Sequence, residues 1–214
     1  MLERRVLLTA IAATIAVPAF AQTTPRNDPA AAKDSSTSDR SGASTAAMGA
    51  PEQKHMMETM AAGSMSLAAS RVAVKKARDE DVKQFAEFEV AEQETIADVL
   101  TSMKEPSKAS GKLNPPSDAE VRKNISQEDQ AMLQKMEQMD GKEFEAAYVK
   151  AQTDGHQKLL RIQEDYLASG KDLAHINVAK LARGQIKEHL QILADLRDDD
   201  DKNATTGRSS RTKK

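Results

Sequence analysis

Apolar residues recur along this chain at the three- and four-residue steps of an α-helix, in four long stretches separated by short breaks. The first opens at about Pro51, a residue suited to a first helical turn, and runs to about Ala77 with Met56, Met60, Leu67 and Val74 among its apolar positions. Asp79 opens the second, which extends to about Lys104. There Val82, Phe85, Ile96, Leu100 and Met103 fall on one face, the clearest amphipathic period in the chain. Glu105 to Ser117 contains Pro106, Gly111, Pro115 and Pro116, which predict a long exposed connection rather than a helix. Ser126, an N-cap residue, predicts a short helix to Met139 with Met132, Met136 and Met139 as its stripe, broken by Asp140-Gly141. The third long helix covers about Lys142 to Ala168, where Phe144, Tyr148, Ala151, Leu159, Ile162 and Tyr166 share a face, and Ser169-Gly170 ends it. The fourth covers about Asp172 to Leu196, with Val178, Leu181, Ile192 and Leu196 expected to face inward.

Four helices of roughly 25 residues, each ~35 to 40 Å long at 1.5 Å per residue, predict an all-α fold. The expected architecture is a four-helix bundle over residues 51–197 with one extra short helix. Each helix carries a single apolar stripe, so none should be stable alone. Gln22 to Ala50 is built from Ala, Ser, Thr, Asp, Gly and Pro with almost no large apolar side chain, and reads as a disordered linker. Residues 198–214 pass from the acidic run Asp198 to Asp201 to Arg208, Arg211, Lys213 and Lys214, and read as a disordered charged tail.

The first 21 residues follow a different logic. Glu3, Arg4 and Arg5 form a charged start, Val6 to Val17 is almost wholly apolar, and Ala19-Phe20-Ala21 closes the run. That order predicts a signal peptide cut before Gln22, and the apolar run is shorter than the ~20 residues that span a bilayer. Arg4-Arg5 leaves the export route open between the general and the twin-arginine pathway. The mature chain has no further segment that could serve as a transmembrane helix, which points to the periplasm, soluble or peripheral to the outer membrane.

Composition narrows the chemistry. The chain is 30% charged and 3% aromatic, contains no cysteine, and has a formal net charge of −2, which losing Glu3, Arg4 and Arg5 makes one unit more negative. Nothing there recommends a nucleic-acid partner, and no other partner is indicated. Without cysteine, disulfides, lipid anchoring at a cysteine and cysteine-held iron–sulfur clusters are excluded, and stability must come from a helical core. No glycine-rich phosphate loop or nucleophile elbow is present.

The informative residues are polar ones standing on the stripes. Between Phe85 and Ile96 the helical steps pass through Glu89 and then Glu92 or Gln93, sending carboxylate toward the bundle axis, where it needs a partner. His156 lies beside Leu159 and Leu160, one turn from Gln152; Gln185 and His189 lie between Leu181 and Ile192. Glu89 or Glu92 with His156 and His189 could meet in the interior, either as ligands of a metal ion or as a buried hydrogen-bond network; the alternative is that these side chains face solvent. A ferritin-type di-iron centre wants Glu-x-x-His on two helices. Glu52 to His55 is the one match and Asp172 to His175 its nearest relative, but both sit at helix starts, where the helix dipole alone favours carboxylate. Met56, Met57, Met60 and Met65 have the spacing of core filler rather than of a copper(I) site.

Val82-Lys83-Gln84-Phe85-Ala86, then Gly141-Lys142-Glu143-Phe144 with Tyr148 and His156, and the closing His189-Leu190 together resemble the exported bacterial family called domain of unknown function 4142, over about Pro51 to Leu196. The resemblance implies a ferritin-like four-helix bundle in the cell envelope; members are often labelled outer membrane proteins and have no assigned biochemical role. It also implies histidine ligands at His156 and His189. Where the family pattern has Asp-His in its second helix this chain has Glu92-Gln93, so a three-histidine site is not intact and Glu92 would offer oxygen in place of nitrogen, favouring a harder metal.

The chain therefore reads as a non-enzymatic exported bundle serving envelope stress or metal handling, with a metalloenzyme or oxidoreductase and an interaction module as competing classes. The leader generates a first prediction: mass spectrometry of the exported protein will find Gln22 as the first residue, and an intact Met1 would refute the signal-peptide reading.

Overall fold

The computed structural model describes residues 48–210, and side chains as far as Asp198. The expected signal peptide and nearly all of the expected linker lie outside the described residues, as do residues 211–214. Six α-helices follow one another: α1 (Ala50–Lys76), α2 (Glu80–Lys104), α3 (Asp118–Asn124), α4 (Gln127–Glu137), α5 (Gly141–Ser169) and α6 (Leu173–Ser210), with a short 3-10 turn at Pro106–Lys108. No strand occurs among the described residues.

Local chemistry fixes the ends. The Asp79 carboxylate accepts from the backbone N–H of Asp81 at 3.0 Å and of Val82 at 3.2 Å, and Ser126 Oγ accepts from Asp129 N at 3.0 Å, so both expected N-caps form. Gly141 begins α5 at φ 56°, the left-handed region that glycine enters without strain. Helix α3 was not anticipated. Its seven residues are too few to show a period, and its signature is the capping box in which Ser117 and Glu120 each accept from the other's backbone N–H. Helix α6 also exceeds the expected end at Leu196, continuing through the acidic run to Ser210. No proline lies in that stretch and glycine enters only at Gly207, so nothing breaks the backbone ladder.

Helix α1 lies beside α2 and α5, and α6 lies beside α5 and α2. Contacts set the directions. His55 meets Gln163, Ser66 meets Gln152 and Ser70 meets Tyr148, so α1 and α5 are antiparallel. His156 meets His189 and Glu164 meets Arg183, so α5 and α6 are antiparallel as well. Helix α1 is thus parallel to α6, and the chain must cross the bundle between α2 and α5, carrying α3 and α4 on the way, the topology of bundles with one long crossover. Arg71 pins this crossover, donating to Asp118 at 2.6 Å, Glu94 at 2.7 Å and the Pro116 carbonyl at 2.9 Å.

Phe85, Phe144, Tyr148, Leu67 and Leu193 form the main core, and Val121, Ile125, Leu133 and Met136 of the crossover close one side of it. Burial of each large apolar side chain contributes about 1.5 to 3 kcal/mol. A smaller apolar layer, Ala62, Leu159, Ile162, Ala182 and Ile186, lies further along the bundle. Several inward assignments are corrected. In α6, Leu181 is 73% exposed and Gln185 is exposed, while the buried stripe is His175, Ala179, Ala182, Ile186, His189 and Leu193. In α4, Leu133 is buried in place of the exposed Met132. In α6 the large Leu181 outweighs the small Ala182 beside it, and in α4 the regular methionine spacing draws the stripe away from the neighbouring Leu133. Met57 is exposed, and with Met60 and Leu100 it lines an open cavity of about 400 Å³, so the methionine cluster is only partly core filler.

Gly170 ends α5 with the Tyr166 ring lying against its Cα, where a Cβ would overlap the ring. Gly170→Ala gains about 0.4 to 1 kcal/mol from a stiffer unfolded chain but costs about 1 to 3 kcal/mol in overpacking. Net destabilisation is expected, and urea denaturation showing a stabilised variant would contradict the packing described.

Candidate metal centre

Helix α2 sends Glu89 into the bundle, where it has no exposed surface. Each of its oxygens is occupied. Oε1 accepts from Ser66 Oγ of α1 at 2.6 Å and from Gln93 Nε2 at 2.8 Å. Oε2 faces two imidazoles, His189 Nδ1 of α6 at 2.9 Å and His156 Nε2 of α5 at 3.2 Å, and these two ring nitrogens are 3.1 Å apart. Three ligand atoms from three helices thus form a nearly equilateral triangle, all three residues being buried.

The outer nitrogens of both rings are fixed. His156 Nδ1 donates to the Gln152 carbonyl at 2.8 Å, one turn back on its own helix. His189 Nε2 donates to Glu92 Oε2 at 3.1 Å. Glu92, a quarter exposed, therefore lies on the far side of His189 and does not enter the triangle. The four expected site residues are in one place, divided into three inner groups and one outer group. A ring nitrogen that donates to a carbonyl or carboxylate turns its other nitrogen into a lone pair, which is how metal-ligating histidines are oriented.

Further residues support this core. Gln152 Nε2 donates to the Ser66 carbonyl at 3.1 Å and to Ser70 Oγ at 3.0 Å, and Ser70 pairs with the Tyr148 hydroxyl at 2.9 Å. Sequence reasoning missed Ser66 and Ser70, because serines among the alanines of α1 make no contrast in apolar period. Phe85 packs its ring against both His156 and His189, at centroid distances of 6.1 and 5.2 Å.

The electrostatics are those of a strong buried pair. Burial pushes the Glu89 carboxyl pKa upward, but hydrogen bonds from Ser66 and, when their rings are protonated, from His156 and His189 outweigh it and hold it well below the ordinary carboxylate range. Burial pushes His189 down, yet its bonds to Glu89 and Glu92 prevail and push its pKa up to about 9. The triangle therefore attracts positive charge, whether a proton or a cation.

The model of the family described as "Domain of unknown function (DUF4142)" matches residues 37–196. Two solved structures are similar in fold. A DUF305 protein of Streptomyces coelicolor gives a TM-score of 0.57 at 14% identity, covering 70% of this chain and 92% of its own. A DUF305 fragment from Deinococcus radiodurans gives 0.56 at 11% identity, covering 69% and 95%. No curated protein matches the sequence.

Removing the carboxylate should cost more than removing its outer neighbour. Glu89→Ala leaves a hydroxyl and an amide without their acceptor and two buried imidazoles without their carboxylate and is expected to cost about 3 to 5 kcal/mol, whereas Glu92→Ala, at a partly solvated site, should cost about 1 kcal/mol or less. Urea denaturation of both variants measures the difference; equal losses would contradict the division into inner and outer groups.

Proposed function

The chain belongs to the DUF4142 family, and from that premise we propose that it is an exported helical-bundle protein that holds one divalent first-row metal ion at Glu89, His156 and His189. One observation carries the reading. With both rings neutral, His156 spends its hydrogen on the Gln152 carbonyl, His189 spends its hydrogen on Glu92, and a carboxylate has none, so three lone pairs converge at 2.9 to 3.2 Å. Three acceptors facing one another repel unless a metal ion or a proton stands among them. Ligand atoms bound to one ion at ~2.0 to 2.1 Å stand about 2.9 to 3.4 Å apart, depending on geometry, and the triangle falls in that range.

Two imidazoles and one carboxylate suit zinc or iron(II) better than copper(I), which prefers sulfur. A bound ion would supply a fixed positive charge with coordination positions left for a further ligand. The near-complete burial of the three residues favours holding the ion over turning over a substrate, which supports metal handling rather than an enzyme. Export rests on the leader, with the Streptomyces coelicolor neighbour provisionally described as secreted. Among the described residues no helix is long and apolar enough to cross a membrane. The second reading is a metal-free hydrogen-bond network, favoured by the raised pKa of His189, which lets a proton take the cation's place.

Elemental analysis of protein reconstituted with zinc or iron(II) separates the two. The metal reading expects an ion at the triangle that is lost in the His156→Ala, His189→Ala double variant. It also expects chelation to lower the Tm by about 5 to 10 °C, the value for an ion present at ~100 times its Kd in a domain of this size. Failure to retain metal at this site, with a Tm indifferent to chelator, would leave the network reading.

A further inference from the structure

A second pair of histidines is buried at the other end of the bundle, outside the site just described. Helices α1 and α6 are parallel, so their first turns share an end, and the two motifs Glu52 to His55 and Asp172 to His175 are brought together there. His55 and His175 are each only 2% exposed, with their Nδ1 atoms 3.0 Å apart. Helix α5 supplies the surroundings. Gln163 Oε1 accepts from His55 Nε2 at 2.7 Å, the Tyr166 ring stacks on His55 at 4.3 Å, and the Tyr166 hydroxyl donates to Glu52 at 2.9 Å.

The hydrogens in this cluster cannot all be placed well. His55 Nε2 carries its hydrogen for Gln163, so His55 Nδ1 is a lone pair. If His175 Nδ1 donates to it, His175 Nε2 becomes a buried lone pair, and that atom has no hydrogen-bond partner among the described residues. The charged groups acting on the His175 ring are Asp172 and Glu52, and carboxylates offer no hydrogen to a lone pair. The other tautomer carries its hydrogen on Nε2, and it leaves two Nδ1 lone pairs facing each other at 3.0 Å. A cation between the Nδ1 atoms turns the two opposed lone pairs into ligands, while His175 Nε2 has no partner among the described residues in either tautomer.

We propose that His55 Nδ1 and His175 Nδ1 ligate a second divalent ion of the imidazole-preferring class, for which Zn²⁺ is the probe. Binding moves one hydrogen of His175 from Nδ1 to Nε2 and releases no proton overall. Two nitrogen ligands 3.0 Å apart fit one ion. Gln163, held by its amide on Thr59 Oγ1 at 3.1 Å, orients His55 as an outer hydrogen bond orients a metal-bound imidazole. Burial lowers the pKa of both His55 and His175, so the neutral, ligating form prevails near neutral pH. Gln163 lies two turns, ~10 Å, from His156 along α5, and the apolar layer of Ala62, Leu159, Ile162, Ala182 and Ile186 intervenes. The two sites are separate, and this inference does not rest on the first.

The test is zinc stoichiometry of the exported full-length protein and of two double variants, His55→Gln, His175→Gln and His156→Gln, His189→Gln, by elemental analysis after dialysis. Two ions in the parent and one in each variant is the expected result. One ion in the parent, lost with His55 and His175, supports this site while the one at Glu89 fails. One ion lost only with His156 and His189, or none at all, overturns the proposal. Because a core variant can fail to fold, the histidine ring nitrogens of the unaltered protein are followed by NMR during zinc titration. His55 and His175 Nδ1 should shift to metal-bound positions while a hydrogen appears on His175 Nε2, and rings unchanged at saturation overturn the proposal by themselves.

Discussion

A carboxylate with no exposed surface governs this bundle. Water would solvate Glu89 far better than an apolar interior can, so the fold must return to it in hydrogen bonds what burial removes. The groups set around it come from every long helix: Ser66 of α1 and Gln93 of α2 itself donate to it, and His156 of α5 and His189 of α6 each turn a ring nitrogen to it. An apolar layer tolerates a helix sliding or turning slightly, because one methyl contact substitutes for another. A carboxylate with donors in fixed directions does not, so one side chain sets the register of four helices.

The other constraints follow from bringing those donors within reach. Helix α1 is lined on its buried side by Ala62, Gly63, Ser66, Ala69, Ser70 and Ala73, and such small residues let it approach its neighbours closely enough for short serine side chains to bridge. The crossover then closes the core beside α1, and the charged clamp of Arg71 on Glu94, Asp118 and the Pro116 carbonyl ties the start of α3 to α1 and α2. At the turn between α1 and α2 the buried Glu145 of α5 accepts from the backbone N–H of Arg78 at 2.7 Å and Asp79 at 2.9 Å, joining the connection to the core.

How much of this could be read from the sequence depended on contrast. Glu89, His156 and His189 stood out because each interrupts a run of large apolar residues at helical spacing, and the fold class followed from the same runs. Leu181 was misread for the complementary reason: beside it Ala182 is small, and the true stripe of α6 is built largely from alanine and histidine, which carry little apolar signal. Ser66 and Ser70 had no contrast at all. His55 and His175 were visible as motifs but not as neighbours, since their meeting depends on α1 and α6 running in the same direction, a property of the crossover that local spacing does not encode. Glu92 was placed correctly in space and given too central a part, because spacing resolves a helical face but not which side of an imidazole a carboxylate reaches.

The apolar layer between the two histidine clusters has a consequence for proton movement. Ala62, Leu159, Ile162, Ala182 and Ile186 offer only aliphatic surface, and a proton relay needs an unbroken file of groups that both give and accept hydrogen. The layer thus insulates the clusters along α5 and α6, and any hydrogen passing between them would have to travel by the polar side chains of α1 and α2, Thr59 and Gln93, at the edge of the aliphatic wall.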